Sequence, residues 1–185
     1  KVLKSYLASG ENFLITPVTD SIKVEVILPF IYVFDQQNNK LNIYNNRGSN
    51  VLKNISSLNY SANQNGILIL NEQKQLRIFT IKDQQIAECP ETLNNISKFK
   101  ISARVILTFK ENPNLIETYQ LNIIRNSYYP LSTQGWSQLA NISSVAFNSS
   151  FIVVQDWQQL VKVNNVQGTA INTARGAIKN YYMTK

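Results

Sequence analysis

Gly66-Ile-Leu-Ile-Leu-Asn-Glu-Gln-Lys-Gln-Leu-Arg-Ile-Phe79 is the stretch that decides how this chain folds. Ile67–Leu70 is an apolar run bounded by polar residues, short for a helix and right for a strand buried on both faces. The polar tip Asn71-Glu-Gln-Lys74 interrupts it, and Leu76-Arg-Ile-Phe-Thr-Ile81 brings the chain back. Run, tip and return read as an antiparallel hairpin.

The same cassette recurs on either side. Ile31-Tyr-Val-Phe34, the tip Asp35–Asn39 and the return through Leu41, Ile43 and Tyr44 form one copy. Phe151-Ile-Val-Val154, the tip Gln155–Gln159 and Leu160-Val-Lys-Val163 form another, and Val105–Phe109, Lys110–Asn114 and Leu115–Ile124 a looser one. Ahead of the first copy, Ile22, Val24 and Val26 alternate with Lys23 and Glu25, the period of a strand with one buried face. The opening segment, Lys1–Ala8, suits either a short helix or a strand. The tripeptide Asn-Ile-Ser stands at Asn54, Asn95 and Asn141, 41 and then 46 residues apart. These spacings set candidate repeats at 20–50, 54–90, 95–126 and 141–167 within one repeat-built β domain over 1–185. A meander of about 40–45 residues is the size of a propeller blade, and one sheet buries both faces only against neighbours. The chain opens at Lys1 with no Met, which reads as a processed product or a piece of something longer.

Toward the C-terminus the pattern changes. In Gly168–Tyr182, Ile171, Ala174, Ile178 and Tyr181 share one face at helical spacing, with Arg175 and Lys179 elsewhere. The spacing predicts a short basic C-terminal helix, weakened by Gly176 at about 1 kcal/mol relative to Ala.

The units Phe30–Tyr44 and Gly66–Phe79 resemble the strand–turn–strand unit of the WD40 and related β-propeller families. That resemblance implies an all-β, mostly antiparallel fold of propeller-like blades, forming the smallest ring or part of a larger one, and a role as a scaffold. The family's signatures are missing: the chain has no His, hence no Gly-His, and its one Asp-Trp pair, Asp156-Trp157, is a reversed Trp-Asp. Lys98–Asn126 also reads as an immunoglobulin-like or cadherin-like strand pair, so a β-sandwich module is the structural alternative.

Composition narrows the chemistry. With no His and a single Cys, Cys89, there is no nitrogen–sulfur set for zinc and no Ser-His-Asp or Cys-His nucleophile within this chain. Asp20, Asp35, Asp83 and Asp156 stand apart, without a calcium loop, and six Gly make no phosphate-binding loop. No two of the eleven acidic residues are brought together as a glycosidase pair by any spacing. The expectation is a non-enzyme without cofactors. Cys89, next to Pro90 in a turn-like stretch, reads as an ordinary half-buried thiol rather than a reactive one. No apolar run reaches membrane-spanning length.

Charged residues make up 16% of the chain, so its polar surface is built largely from Asn, Gln, Ser and Thr; Asn and Gln together are roughly a fifth of the chain, a bias that coding composition explains as well as physics. A net charge of +7 favours acidic partners: nucleic acid, anionic headgroups or acidic protein segments. Five N-x-S sequons, at Asn54, Asn59, Asn95, Asn141 and Asn148, would accept glycans in a secreted filament module, and composition alone also produces them. Lys98-Phe-Lys100, Arg104 and Phe109 interleave basic and aromatic residues as base-stacking strands do. The alternation of Lys98, Lys100 and Ser102 with Phe99, Ile101 and Ala103 favours a solvated strand face instead. The leading expectation is a protein-interaction module of a larger assembly. Its contact residues are expected at Asp35, Asn38, Lys40, Lys74 and Trp157 on hairpin tips and at Lys98, Lys100 and Arg104 on the basic strand.

Overall fold

The computed structural model describes residues 2–6, 12–17, 21–110, 115–132, 142–156 and 160–175. All of its named elements are strands, and they fall into two compact units, Lys1–Asn94 and Asn95–Lys185.

In the first unit a two-stranded sheet comes first, β1 (Val2–Tyr6) against β2 (Asn12–Pro17), which makes the opening segment a strand. Two four-stranded meanders follow. One runs β3 (Ile22–Ile27), β4 (Phe30–Asp35), β5 (Lys40–Asn45) and β6 (Asn50–Ser56). The other runs β7 (Asn59–Asn63), β8 (Gly66–Leu70), β9 (Leu76–Lys82) and β10 (Gln85–Glu88). Within each sheet, strands consecutive in sequence pair antiparallel.

The second strand of each meander is apolar on both faces for a visible reason. On β4, Phe30, Tyr32 and Phe34 enter one core with Leu41, Ile43, Tyr60, Ile67, Ile69, Phe79 and Ile81. Ile31 and Val33, on the opposite face, pack with Ile22, Val24 and Tyr44. All of β8 is buried. Burial of this kind stabilises by about 1.5–3 kcal/mol for each large apolar side chain. The outer strand β10 is fastened from its edge: Arg77 donates through Nε and Nη2 to both carboxylate oxygens of Glu88, at 2.6 and 2.7 Å. Beyond β10, Cys89 is buried, and Leu93 exchanges backbone hydrogen bonds with Leu76.

The second unit repeats the plan. One meander is β11 (Lys98–Ser102), β12 (Val105–Lys110), β13 (Leu115–Asn122) and β14 (Ser127–Ser132). The next is β15 (Ile142–Phe147), β16 (Phe151–Asp156), β17 (Leu160–Asn165) and β18 (Ala170–Arg175). Val105, Leu107 and Ile116 share a core with Phe147, Ile152, Val154 and Val166. Lys98–Ser132 is thus one continuous meander, which replaces the sandwich reading of that stretch.

The C-terminal helix is corrected: Ala170–Arg175 is β18, hydrogen-bonded to β17. The turn before it decides the outcome. Asn165 Oδ1 accepts the Thr169 amide at 2.8 Å, Gly168 takes φ 89°, and the reversed chain finds a ladder waiting on β17. A helix already weakened by Gly176 gives way to that ladder. The remainder of the expected helix, 176–182, lies outside the described residues.

The Asn-Ile-Ser tripeptides take different places. Asn54 is on β6, the last strand of its sheet, Asn95 precedes β11, and the third copy runs into β15 at Ile142. Asn54 and Asn95 share a left-handed backbone, at φ 52° and 60°.

Candidate interaction surface

In a four-stranded meander the first and third turns fall at one end of the sheet and the second turn at the other. Of the residues expected to touch a partner on hairpin tips, Asp35, Asn38, Lys40 and Lys74 lie in or beside second turns. Both described tips are organised by an Asx side chain. Asp35, at the end of β4, accepts the amides of Gln37 and Asn38 on Oδ1, both at 3.1 Å, and the Asn38 side-chain amide on Oδ2 at 2.8 Å. The Asn38 side-chain hydrogen bond, helped by those amides, holds the Asp35 carboxyl below the ordinary carboxylate range. Asn39 closes the tip at φ 51°, leaving Lys40 exposed at the head of β5.

The neighbouring tip is built the same way. Asn71 Oδ1 accepts the amides of Gln73 and Gln75 at 3.0 and 2.9 Å, and Lys74 takes φ 58° and is exposed. The Asn39 side-chain amide reaches Glu72 Oε1 at 3.4 Å, which brings the Asp35–Lys40 and Asn71–Lys74 tips together. Asn38, Lys40 and Lys74 are therefore exposed groups on a pair of adjoining, pre-ordered turns.

The remaining expected contacts do not join that pair. Lys98 and Lys100 are exposed on one face of the edge strand β11, while Phe99 and Ile101 turn inward. Arg104 sits in the first turn of that sheet, beyond the far end of β11 from Lys98. Trp157 lies outside the described residues.

Two ionic clusters went unseen in the sequence. In the first unit Tyr60 OH donates to Glu25 Oε2 at 2.8 Å, and Lys23 Nζ lies 3.7 Å from the same oxygen. Tyr32 stacks on Tyr60 with ring centroids 5.6 Å apart, and its own hydroxyl is buried without a hydrogen-bond partner. In the second unit Tyr119 OH donates to Glu117 Oε2 at 2.8 Å, and Lys110 Nζ reaches that oxygen at 2.8 Å. Tyr128 packs edge-on against Tyr119 at 5.5 Å. Burial, then the neighbouring carboxylate, raises the pKa of Tyr32, Tyr60 and Tyr119. The sequence signal was slight: Lys23 and Glu25 sit two apart on one strand, whereas Lys110 meets Glu117 only because β12 and β13 pair.

Cys89 is an inert thiol by its surroundings. Burial, with the Glu88 charge beside it, pushes its pKa up to about 11.

No protein-family profile matches the chain, and no curated protein does. Solved structures do match. The chain is similar to KlHsv2 with loop 6CD replaced by a Gly-Ser linker, at TM-score 0.65 and 12% identity over 96% of this chain and 61% of that one. It is similar to the WD40 domain of SCAP from fission yeast, at TM-score 0.56 and 13% identity over 94% of this chain and 47% of that one. Saccharomyces cerevisiae Sqt1 is similar at TM-score 0.58 and 12% identity, over 80% of this chain and 45% of that one. At such identities the likeness is one of fold: four-stranded antiparallel sheets of the WD40 propeller kind. The chain spans 61%, 54% and 56% of the first three solved structures it matches.

Proposed function

We propose that this chain is a non-enzymatic protein-interaction module, one repeat-built array over 1–185 that presents polar hairpin tips to other proteins of an assembly. The observation that carries the reading is the adjoining pair of Asx-ordered tips, with Asn38, Lys40 and Lys74 exposed and the turns fixed by their own hydrogen bonds. A turn ordered before binding loses little conformational freedom on contact, which is where interfaces gain affinity. Similarity to WD40 propeller structures supports the same reading, since such folds commonly serve as scaffolds. The net charge of +7 makes an acidic protein segment the favoured partner.

The test places a photo-cross-linking residue at Asn38 or Lys74 of the whole chain, with Lys53 as a surface control, in extracts of the source cell. A partner captured at Asn38 and Lys74, and lost when Asp35→Ala releases the tip, is the expected result. Equal capture at Lys53 overturns the assignment of the tips.

A further inference from the structure

Seven large apolar side chains are exposed among the described residues: Val26, Leu28, Leu58, Ile124, Tyr129, Phe151 and Ile171. Single exposed apolar residues are ordinary. Their placement here is uneven. Leu28 lies in the first turn of its sheet, Ile124 in the third turn of its own, and Val26, Tyr129, Phe151 and Ile171 on strands beside first or third turns. Leu58, at the opposite end, is the exception. The two described second turns, 36–39 and 71–75, carry none.

Two of these ends combine exposed carbon with positive charge. On the β3–β6 sheet, Leu28 is 77% exposed and Val26 62%, and exposed Arg47 occupies the third turn. On the β11–β14 sheet, Ile124 is 83% exposed beside exposed Arg125, with Arg104 in the adjacent first turn. The Leu121 amide donates to the Arg104 carbonyl at 2.8 Å, which ties the first turn to β13, the strand that leads into the third turn. Neither pair of turns contains an acid. The turns are also ordered: Arg47 N donates to Asn45 Oδ1 at 3.0 Å, and Arg125 N to Asn122 Oδ1 at 3.1 Å. The β7–β10 sheet supplies an internal contrast, with Gln64, Asn65, Asp83 and Gln84 at the same end and no exposed large apolar residue.

We infer that these two turn ends, each by itself, dock on an anionic lipid surface. Each of these contacts is a hairpin turn with its apolar side chain exposed. Its apolar side chain is buried only by a medium that yields around it, and the arginines beside it match phosphate and carboxylate headgroups. Tyr129, 49% exposed, carries the amphipathic ring suited to the boundary between headgroup and chain. No helix among the described residues is long and apolar enough to cross a membrane. Within the first unit the lipid contact leaves the polar second-turn tips, and a protein bound there, untouched.

The test is co-sedimentation of the whole chain with phosphatidylcholine vesicles, with and without roughly a fifth of phosphatidylserine. Binding to the phosphatidylserine vesicles, weakened by salt, is expected. Because each end docks by itself, the double change Leu28→Glu with Ile124→Glu should reduce it by about tenfold, since both inserted groups become charges, and either alone by less. Leu58→Glu, the same change made at the opposite end of the first unit, should leave binding within about twofold. Circular dichroism checks each fold, and Ile124→Trp supplies a second reading, a blue-shifted emission on phosphatidylserine vesicles. No binding to either vesicle, an equal loss from Leu58→Glu, or unshifted Trp emission overturns the inference.

Discussion

The chain builds one ionic motif twice, a lysine, a glutamate and a tyrosine hydroxyl, and sets the two at different depths. Glu25 is 41% exposed and its lysine, Lys23, 57%. Glu117 is 9% exposed and Lys110 24%. The first pair sits where water competes for both charges, and such pairs contribute little. The second has left most of its water behind, so each partner depends on the other. Depth, more than geometry, sets what the same three groups are worth.

The largest expected effect is therefore at Glu117. Glu117→Ala strands the Lys110 ammonium and the Tyr119 hydroxyl together and should cost about 3 kcal/mol, the low end of the range for breaking a buried pair because Lys110 keeps some solvent. Urea unfolding reads it, and a loss below about 1 kcal/mol would erase the contrast with Glu25. Alkaline titration probes both clusters at once. Folding raises the pKa of Tyr32, Tyr60 and Tyr119, so the unfolded chain gives up these protons first as pH climbs past the ordinary tyrosine value of about 10. Stability should be level below that pH with respect to these groups and fall above it. Tyr119→Phe should flatten part of the fall.

Smaller effects sharpen the comparison inside the first cluster. Tyr60→Phe removes a hydroxyl bonded to a half-exposed carboxylate and should cost about 1 kcal/mol. Tyr32→Phe removes a buried hydroxyl with no partner, so it should be neutral or stabilise by up to about 1 kcal/mol. Thermal melts of the two variants would separate them. Lys23→Ala comes last, within about 0.5 kcal/mol of the parent by the same melts.

Much of this fold was legible because its central strands are apolar on both faces. Ile67–Leu70 and Ile31–Phe34 announce themselves as buried strands, and Asp35–Asn39 and Asn71–Lys74 as the tips between them. The β1, β6, β10, β14 and β18 strands were harder to read. Gln85–Glu88 and Asn50–Ser56 lie at sheet edges with mixed burial, and Ala170–Arg175 imitated a helix because Ile171 and Ala174 fall three apart. Cross-strand partnership decided these segments, and a local window does not contain it. The turns held a signal that went unused. Asp35, Asn45, Asn71, Asn122 and Asn165 each begin a turn by accepting backbone amides on the side chain, and each turn then passes through a left-handed residue, Asn39, Gly48, Lys74, Asn126 or Gly168. The richness in asparagine thus has a structural use, beyond coding bias. The placing of Asp35, Asn38, Lys40 and Lys74 on or beside tips was reachable because tips are visible in sequence. The pairing of Lys110 with Glu117 was not, since it depends on the register of β12 with β13.

Asn39, Asn54, Asn95 and Asn126 occupy backbone conformations that glycine enters most easily. An asparagine there strains the native turn slightly, while leaving the denatured chain fewer shapes to explore than glycine would. Exchanging these four for glycine should shift the enthalpy and the entropy of unfolding in the same direction and nearly cancel in the free energy. A calorimeter would register the swap, and a denaturant titration would scarcely notice it.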